Sequence, residues 1–124
     1  MTTCNIPRWQ QLKTQLKNLR PIAFKRAMEA NPTAIILDCR TKEEYQFSRI
    51  AGAVNFNYLS SNFVEEMEKL DPKTTYFIYC RSERRSLRTC LLFKNGGFDN
   101  VFNLDGGLVA WTAEFGPESL ERPK

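Results

Sequence analysis

An α/β fold with a mainly parallel, five-stranded sheet and helices on both faces is what the patterning of this chain predicts. Three observations carry that expectation. Short runs of aromatic and β-branched residues alternate with stretches whose apolar residues recur at i, i+3 and i+4. The clearest runs, residues 34–37 and Tyr76–Tyr79, are continuously apolar, as strands covered on both faces are. Each run is separated from the next by a helical pattern, which calls for crossover connections and not hairpins.

The elements follow in order. Residues 1–17 form an N-terminal arm, in which Pro7 can open a short helix with Trp9, Leu12 and Leu16 on one face. Residues 18–124 form the domain. Residues 18–20 make a short first strand, and Pro21 starts a helix with Phe24, Ala27 and Met28 inward, stopped by Asn31-Pro32. After the strand at 34–37, Thr41-x-x-Glu44 is a capping box that opens a short helix carrying Tyr45 and Phe47. Residues 52–56 supply another strand. Asn62-x-x-Glu65 has the spacing of a second box, followed by a face of Phe63, Met67 and Leu70 that ends before Pro72. Tyr76–Tyr79 is the central strand. The helix after it has Leu87, Cys90 and Leu91 at helical spacing, Ser86 as N-cap, and a stop at Asn95-Gly96-Gly97. Val101–Leu104 is the last strand, and Asp105-Gly106-Gly107 turns into a helix with Leu108, Trp111 and Phe115.

Composition narrows the function. At 124 residues with 42% hydrophobic and 26% charged residues, the chain is an ordinary single globular domain. It has no apolar run of membrane-spanning length and no apolar signal core, so the expectation is a soluble, cytoplasmic protein. The net charge of +4 is concentrated: residues 80–94 hold Arg81, Arg84, Arg85, Arg88 and Lys94 against Glu83, and the remainder balances. That describes a focused anion site and not a nucleic-acid surface. Cys4, Cys39, Cys80 and Cys90 show neither Cys-x-x-Cys nor zinc spacing, and there is no histidine. A Cys-His arrangement and His-bound metal are therefore excluded, and any cysteine nucleophile must be activated by electrostatics.

The stretch from Cys80 to Ser86 is where chemistry is expected. A strand that runs into a helix through such a loop leaves backbone N–H groups free for negative charge, and a thiol there ionises more easily. Cys90 reads as core, and Cys4 in the arm carries no signal.

Cys80-x-x-x-x-Arg85-Ser86 after a strand resembles the active-site loop of the single-domain rhodanese-like sulfurtransferases. The segments 36–40, 43–45, 49–55 and 103–111 resemble further landmarks of that family, in order, so that the likeness spans roughly residues 18–115. Two positions depart from it: Glu83 stands at the usual mid-loop glycine, and Arg49 where a histidine is common. Cys39 takes a place often held by valine, and packing is its expected role.

The resemblance implies a site with Cys80 as nucleophile and Arg81, Ser82, Glu83, Arg84, Arg85 and Ser86 as the substrate-binding loop. Arg85 organises the loop. Asp38 and Arg40 are expected to orient the loop, Asp38 as the partner of Arg85 and Arg40 paired with Glu43 or Glu44, and Arg81 and Arg84 are expected to face the mouth. Related phosphatases have one more residue between cysteine and arginine, enough to wrap a tetrahedral phosphate; four intervening residues suit a single sulfur atom. The implied reaction is a double displacement through a Cys80 persulfide, with no metal or organic cofactor. Donors are thiosulfate or a small persulfide, and acceptors a thiol or a protein. A carboxylate at position 83 would disfavour the dianion thiosulfate. A non-catalytic binding or regulatory module and, behind it, a cysteine-dependent phosphatase remain the alternatives.

Overall fold

The computed structural model describes residues 7–123. Cys4 therefore lies outside the described residues. The chain runs α1 (Arg8–Lys13), β1 (Lys17–Leu19), α2 (Pro21–Ala30), β2 (Ile35–Asp38), α3 (Lys42–Phe47), β3 (Val54–Asn55), α4 (Phe63–Glu68), β4 (Tyr76–Tyr79), α5 (Arg84–Asn95), β5 (Val101–Leu104) and α6 (Gly107–Phe115). The five strands form one sheet in the order β1-β5-β4-β2-β3, every neighbouring pair parallel. Among the described residues, no helix is long and apolar enough to cross a membrane.

The central strand β4 explains the continuous apolar run. Tyr76, Phe77, Ile78 and Tyr79 are all fully buried, two on each face. Burial of side chains this size stabilises by about 1.5–3 kcal/mol each. Tyr76 and Ile78 meet Phe63 of α4 and Cys90 and Phe93 of α5. Phe77 and Tyr79 meet Phe24 of α2 and Leu108 and Trp111 of α6, with Tyr45 of α3 at the edge. Helix α1 packs on α5.

The expected strands at 76–79 and 101–104 are found unchanged. Other expectations shift. The strand at 52–56 shrinks to two residues, because β3 is an edge that pairs with β2 alone. The box at Asn62 does not form, since Asn62 Oδ1 accepts the Ser60 hydroxyl instead of capping α4. Phe47 is 72% exposed. Tyr45 faces the core, its hydroxyl donating to Ala53 O at 2.6 Å, and a residue two positions on lies across the helix. The Thr41–Glu44 capping box forms as read.

The carboxyl ends of β2 and β4 position the site. Asp38 is in register with Tyr79, and Cys39 N–H donates to Tyr79 O at 3.0 Å. Cys39 and Cys80 follow on neighbouring strands and share one core face. Gly107 then lets α6 close on the loop: a Cβ there would lie 2.5 Å from Arg81 O and 2.8 Å from Cys80 O.

Gly107→Ala should thus add a backbone clash to the cost of a positive φ, for a loss of roughly 2–4 kcal/mol. Gly97→Ala, with a comparable φ of +93° but open space around the added carbon, should cost only about 1–2 kcal/mol. Urea unfolding of the two variants checks this; equal losses would mean that the approach at Gly107 is not tight.

Candidate active site

Cys80 sits at the end of β4, 1% exposed, where the chain leaves the sheet for α5. The first turn of a helix has N–H groups without intrahelical partners. One of these, Ser86 N–H, donates to Cys80 Sγ at 3.3 Å, and the Ser86 hydroxyl oxygen lies 3.4 Å from the same sulfur. On the outer side, Leu108 and Val109 N–H of α6 donate to Cys80 O and Arg81 O at 2.9 and 3.0 Å. The loop carbonyls are thereby drawn towards α6 and away from the sulfur.

The electrostatics favour a thiolate. The neighbouring Cys39 thiol, opposed by burial and joined by the Ser86 N–H and the Arg85 charge, pulls the Cys80 thiol down to about 6. Cys39 moves the other way: full burial, with Cys80 beside it, pushes its thiol well up. Burial likewise pushes Cys90 up. Of these three cysteines only Cys80 ionises near neutrality, and Cys39 stays protonated beside it, its thiol donating to Tyr79 O at 3.3 Å. Sequence reasoning gave Cys39 a packing role. Its neighbouring-strand placement was the available signal for more.

Arg85 has the expected fixed position but a different partner. Its Nη1 and Nη2 donate to Glu44 Oε1 and Oε2 at 2.7 and 3.1 Å. That bidentate pair, working against burial and joined by bonds from Thr41, holds the Glu44 carboxyl down at about 2. Asp38 cannot serve Arg85, because strand alternation turns it to the Tyr79 face. There it accepts the Tyr79 hydroxyl at 2.7 Å and the Arg40 guanidinium at 2.6–3.1 Å. Arg40 in turn reaches Ser48 O at 2.6 Å. The expected pairings of Asp38 with Arg85, and of Arg40 with Glu43 or Glu44, are thus exchanged. Asp38 and Arg40 fix the end of β2 and the chain after α3; they do not orient the loop.

The remaining loop residues divide. Arg81 is exposed and lines an open cleft of about 490 Å³ together with Arg40, Glu44, Phe47, Leu108 and Val109. Two smaller clefts, of about 240 and 230 Å³, lie near Phe63 and near Cys90 and do not meet the loop. Arg84 turns from the mouth, its guanidinium 5.4 Å from the centre of the Trp9 ring. Ser82 is exposed. Ser86 is not the N-cap: α5 starts two residues earlier, with Glu83 in the cap position. The Glu83 side chain does not face the sulfur. It pairs with Lys13 at 2.9 Å, so the expectation that it repels a dianion at the cradle loses its geometric basis. Asn103, buried in β5 and missed in the sequence, accepts the Ser86 hydroxyl at 2.6 Å.

Residues 21–114 match the family model of the rhodanese-like domain. A Bacillus subtilis protein named as a sulfurtransferase, YtwF, is 32% identical over 105 residues, covering 85% of this chain and 99% of that protein. Another from that organism, named as a sulfur carrier, YrkF, is 30% identical over 92 residues, covering 74% of this chain and 49% of the relative. A tRNA uridine(34) hydroxylase of Cytophaga hutchinsonii is 29% identical, with 85% of this chain matching 34% of the relative. The chain thus spans half or less of the length of these last two. Among solved structures, the Alr3790 protein from Anabaena superposes with a TM-score of 0.73 at 26% identity, over 85% of this chain and 82% of that one.

Alkylation of Cys80 by iodoacetamide, followed by peptide mass, should show a rate inflection near pH 6. Cys39→Ala removes the neighbouring thiol and should move that inflection upward. An unmoved inflection in the folded variant would rule out the Cys39 thiol as a stabiliser of the thiolate.

Proposed function

The chain belongs to the rhodanese-like domain family, and on that premise we propose that it is a sulfurtransferase carrying sulfane sulfur as a Cys80 persulfide. The observation that carries this reading is the isolated thiolate: Cys80, pulled down to about 6, beneath the first turn of α5 and with no histidine in the chain. Relatives named as a sulfurtransferase and a sulfur carrier support the same direction.

The reaction needs a nucleophile, a place for one extra sulfur and a charge balance. The Cys80 thiolate attacks the outer sulfur of the donor. The donor's S–S bond breaks, and its electron pair leaves on sulfite or a thiolate, both stable anions that need no strong acid. The new Cys80 persulfide carries its negative charge on the terminal sulfur, within reach of helix N-terminal N–H groups and the fixed Arg85 guanidinium. An acceptor thiolate then attacks that terminal sulfur and regenerates the Cys80 thiolate, so no external oxidant or reductant enters the cycle.

The cleft beside the loop is the entry route. Arg81 supplies a positive charge at its rim, while Phe47, Leu108 and Val109 give it an apolar wall. Because Arg40 is neutralised by Asp38 and Arg85 by Glu44, the rim attracts anions through Arg81 more than through a cluster. Thiosulfate or a low-molecular-weight persulfide fits as donor, and a thiol or a cysteine-bearing protein as acceptor, in the cytoplasm.

Intact-protein mass after brief exposure to thiosulfate or glutathione persulfide should show one added sulfur, discharged by cyanide. Loading should rise from pH 5 to pH 7 and then level off as the thiolate becomes the dominant form. Cys80→Ser should gain no sulfur while keeping its fold. Failure of the wild type to load from either donor, or loading that survives in Cys80→Ser, would sink the reading.

A further inference from the structure

Glu83 has φ 148° and ψ −12°, and it is the one non-glycine residue with positive φ among the described residues. Glycine adopts such a backbone freely, whereas a side chain strains it, so something must hold Glu83 there. The strain sits at a sensitive point. Glu83 O accepts Leu87 N–H at 2.8 Å and closes the first turn of α5, so its peptide helps fix Ser86, the residue whose N–H meets Cys80 Sγ.

What holds Glu83 comes from outside the matched domain. Lys13, in α1 and ahead of residues 21–114, places Nζ 2.9 Å from Glu83 Oε1 and 2.5 Å from Asp105 Oδ1. Gly106 N–H adds a long contact to Glu83 Oε1 at 3.4 Å, and Arg20 approaches Asp105 at 3.9 Å. The ammonium is partly shielded. Burial disfavours its charge, but the bonds to Asp105 and Glu83 outweigh this and raise its pKa. A second thread runs from the same arm: Asn18 donates to Lys13 O at 2.9 Å, Asn103 donates to Asn18 at 3.0 Å, and Ser86 donates to Asn103.

We propose that Lys13 is a positioning residue for Cys80: it clamps Glu83 to Asp105 and so keeps the strained loop in the conformation that aims Ser86 N–H at the sulfur. The arm thereby does the work that a glycine at position 83 would make unnecessary. Without the clamp, Glu83 relaxes towards an ordinary φ, Ser86 turns, and the thiolate loses its backbone donor. The proposal rests on Cys80 as the reactive thiol, and part of its test needs no sulfur donor.

The test uses the full chain with Lys13→Gln, Glu83→Gln, Glu83→Gly and the double variant Lys13→Gln/Glu83→Gly, each checked for folding by circular dichroism. Both glutamine variants should raise the inflection of Cys80 alkylation by about half a unit or more. They should also lower kcat for sulfur transfer about threefold or more, with KM less affected, as the loss of one partly buried ion pair implies. In the Glu83→Gly background, Lys13→Gln should have no further effect on either quantity. An unmoved inflection in both glutamine variants overturns the proposal. So does an effect of Lys13→Gln that is the same size with glycine at 83, or one that Glu83→Gln does not share, because Lys13 would then act through Asp105 alone. Coupling in alkylation without sulfur loading of any variant would leave the clamp standing and remove the sulfurtransferase reading instead.

Discussion

The approach of α6 to the loop after β4 is the constraint on which the site depends. Two hydrogen bonds from the start of α6, to Cys80 O and Arg81 O, are possible because Gly107 has no side chain to hold the backbones apart. With those carbonyls engaged outward, they are held away from the sulfur. An anionic sulfur beside unpaired carbonyl oxygens would be repelled. The sheet contributes the other half, since the parallel register of β2 with β4 brings Cys39 alongside Cys80.

A chain of amides fixes the remaining proton. Asn18 Nδ2 donates to Lys13 O and Leu16 O, which leaves its Oδ1 to accept from Asn103 Nδ2. Asn103 Oδ1 must then accept, and it takes the Ser86 hydroxyl proton. The hydroxyl oxygen turned to Cys80 is therefore an acceptor, suited to the neutral thiol. Once the thiolate forms, its partner in Ser86 is the backbone N–H, which needs no reorientation. A buried polar ladder of this kind costs stability when one rung is lost, because each neighbour is left unpaired.

Much of the fold was legible because apolar runs and capping signals are local. The strands at β4 and β5, Pro21 at the start of α2 and the Thr41–Glu44 box needed no tertiary knowledge. Cys80 and Arg85 were legible because loop, strand end and helix start are contiguous. The partners were not. Glu44 already had a complete local role in its box, and nothing in the sequence signals that its carboxylate also takes a guanidinium 41 positions on. Asp38 looked available because its neighbours in sequence are near the rim, but strand alternation commits it to Tyr79 and Arg40. Lys13 lay in an arm whose packing partners are 70 and 92 positions away.

Sequence also suggested that three arginines act together on Cys80, and the geometry separates them. Arg84 lies over Trp9, Arg81 is at the solvent-exposed rim, and Arg85 carries Glu44 with it. At about 6 Å and an effective dielectric near 20, one isolated unit charge contributes roughly 3 kcal/mol. The carboxylate a few ångströms behind Arg85 cancels a large part of that, and solvent screens Arg81 further. The contact of Ser86 N–H to the sulfur itself is not cancelled in this way, because that dipole acts at bonding distance. The low thiol pKa is thus chiefly a hydrogen-bonding effect set by backbone position, with Coulomb attraction behind it. That ordering is why small movements of Ser86 matter more to the nucleophile than the count of positive charges around it.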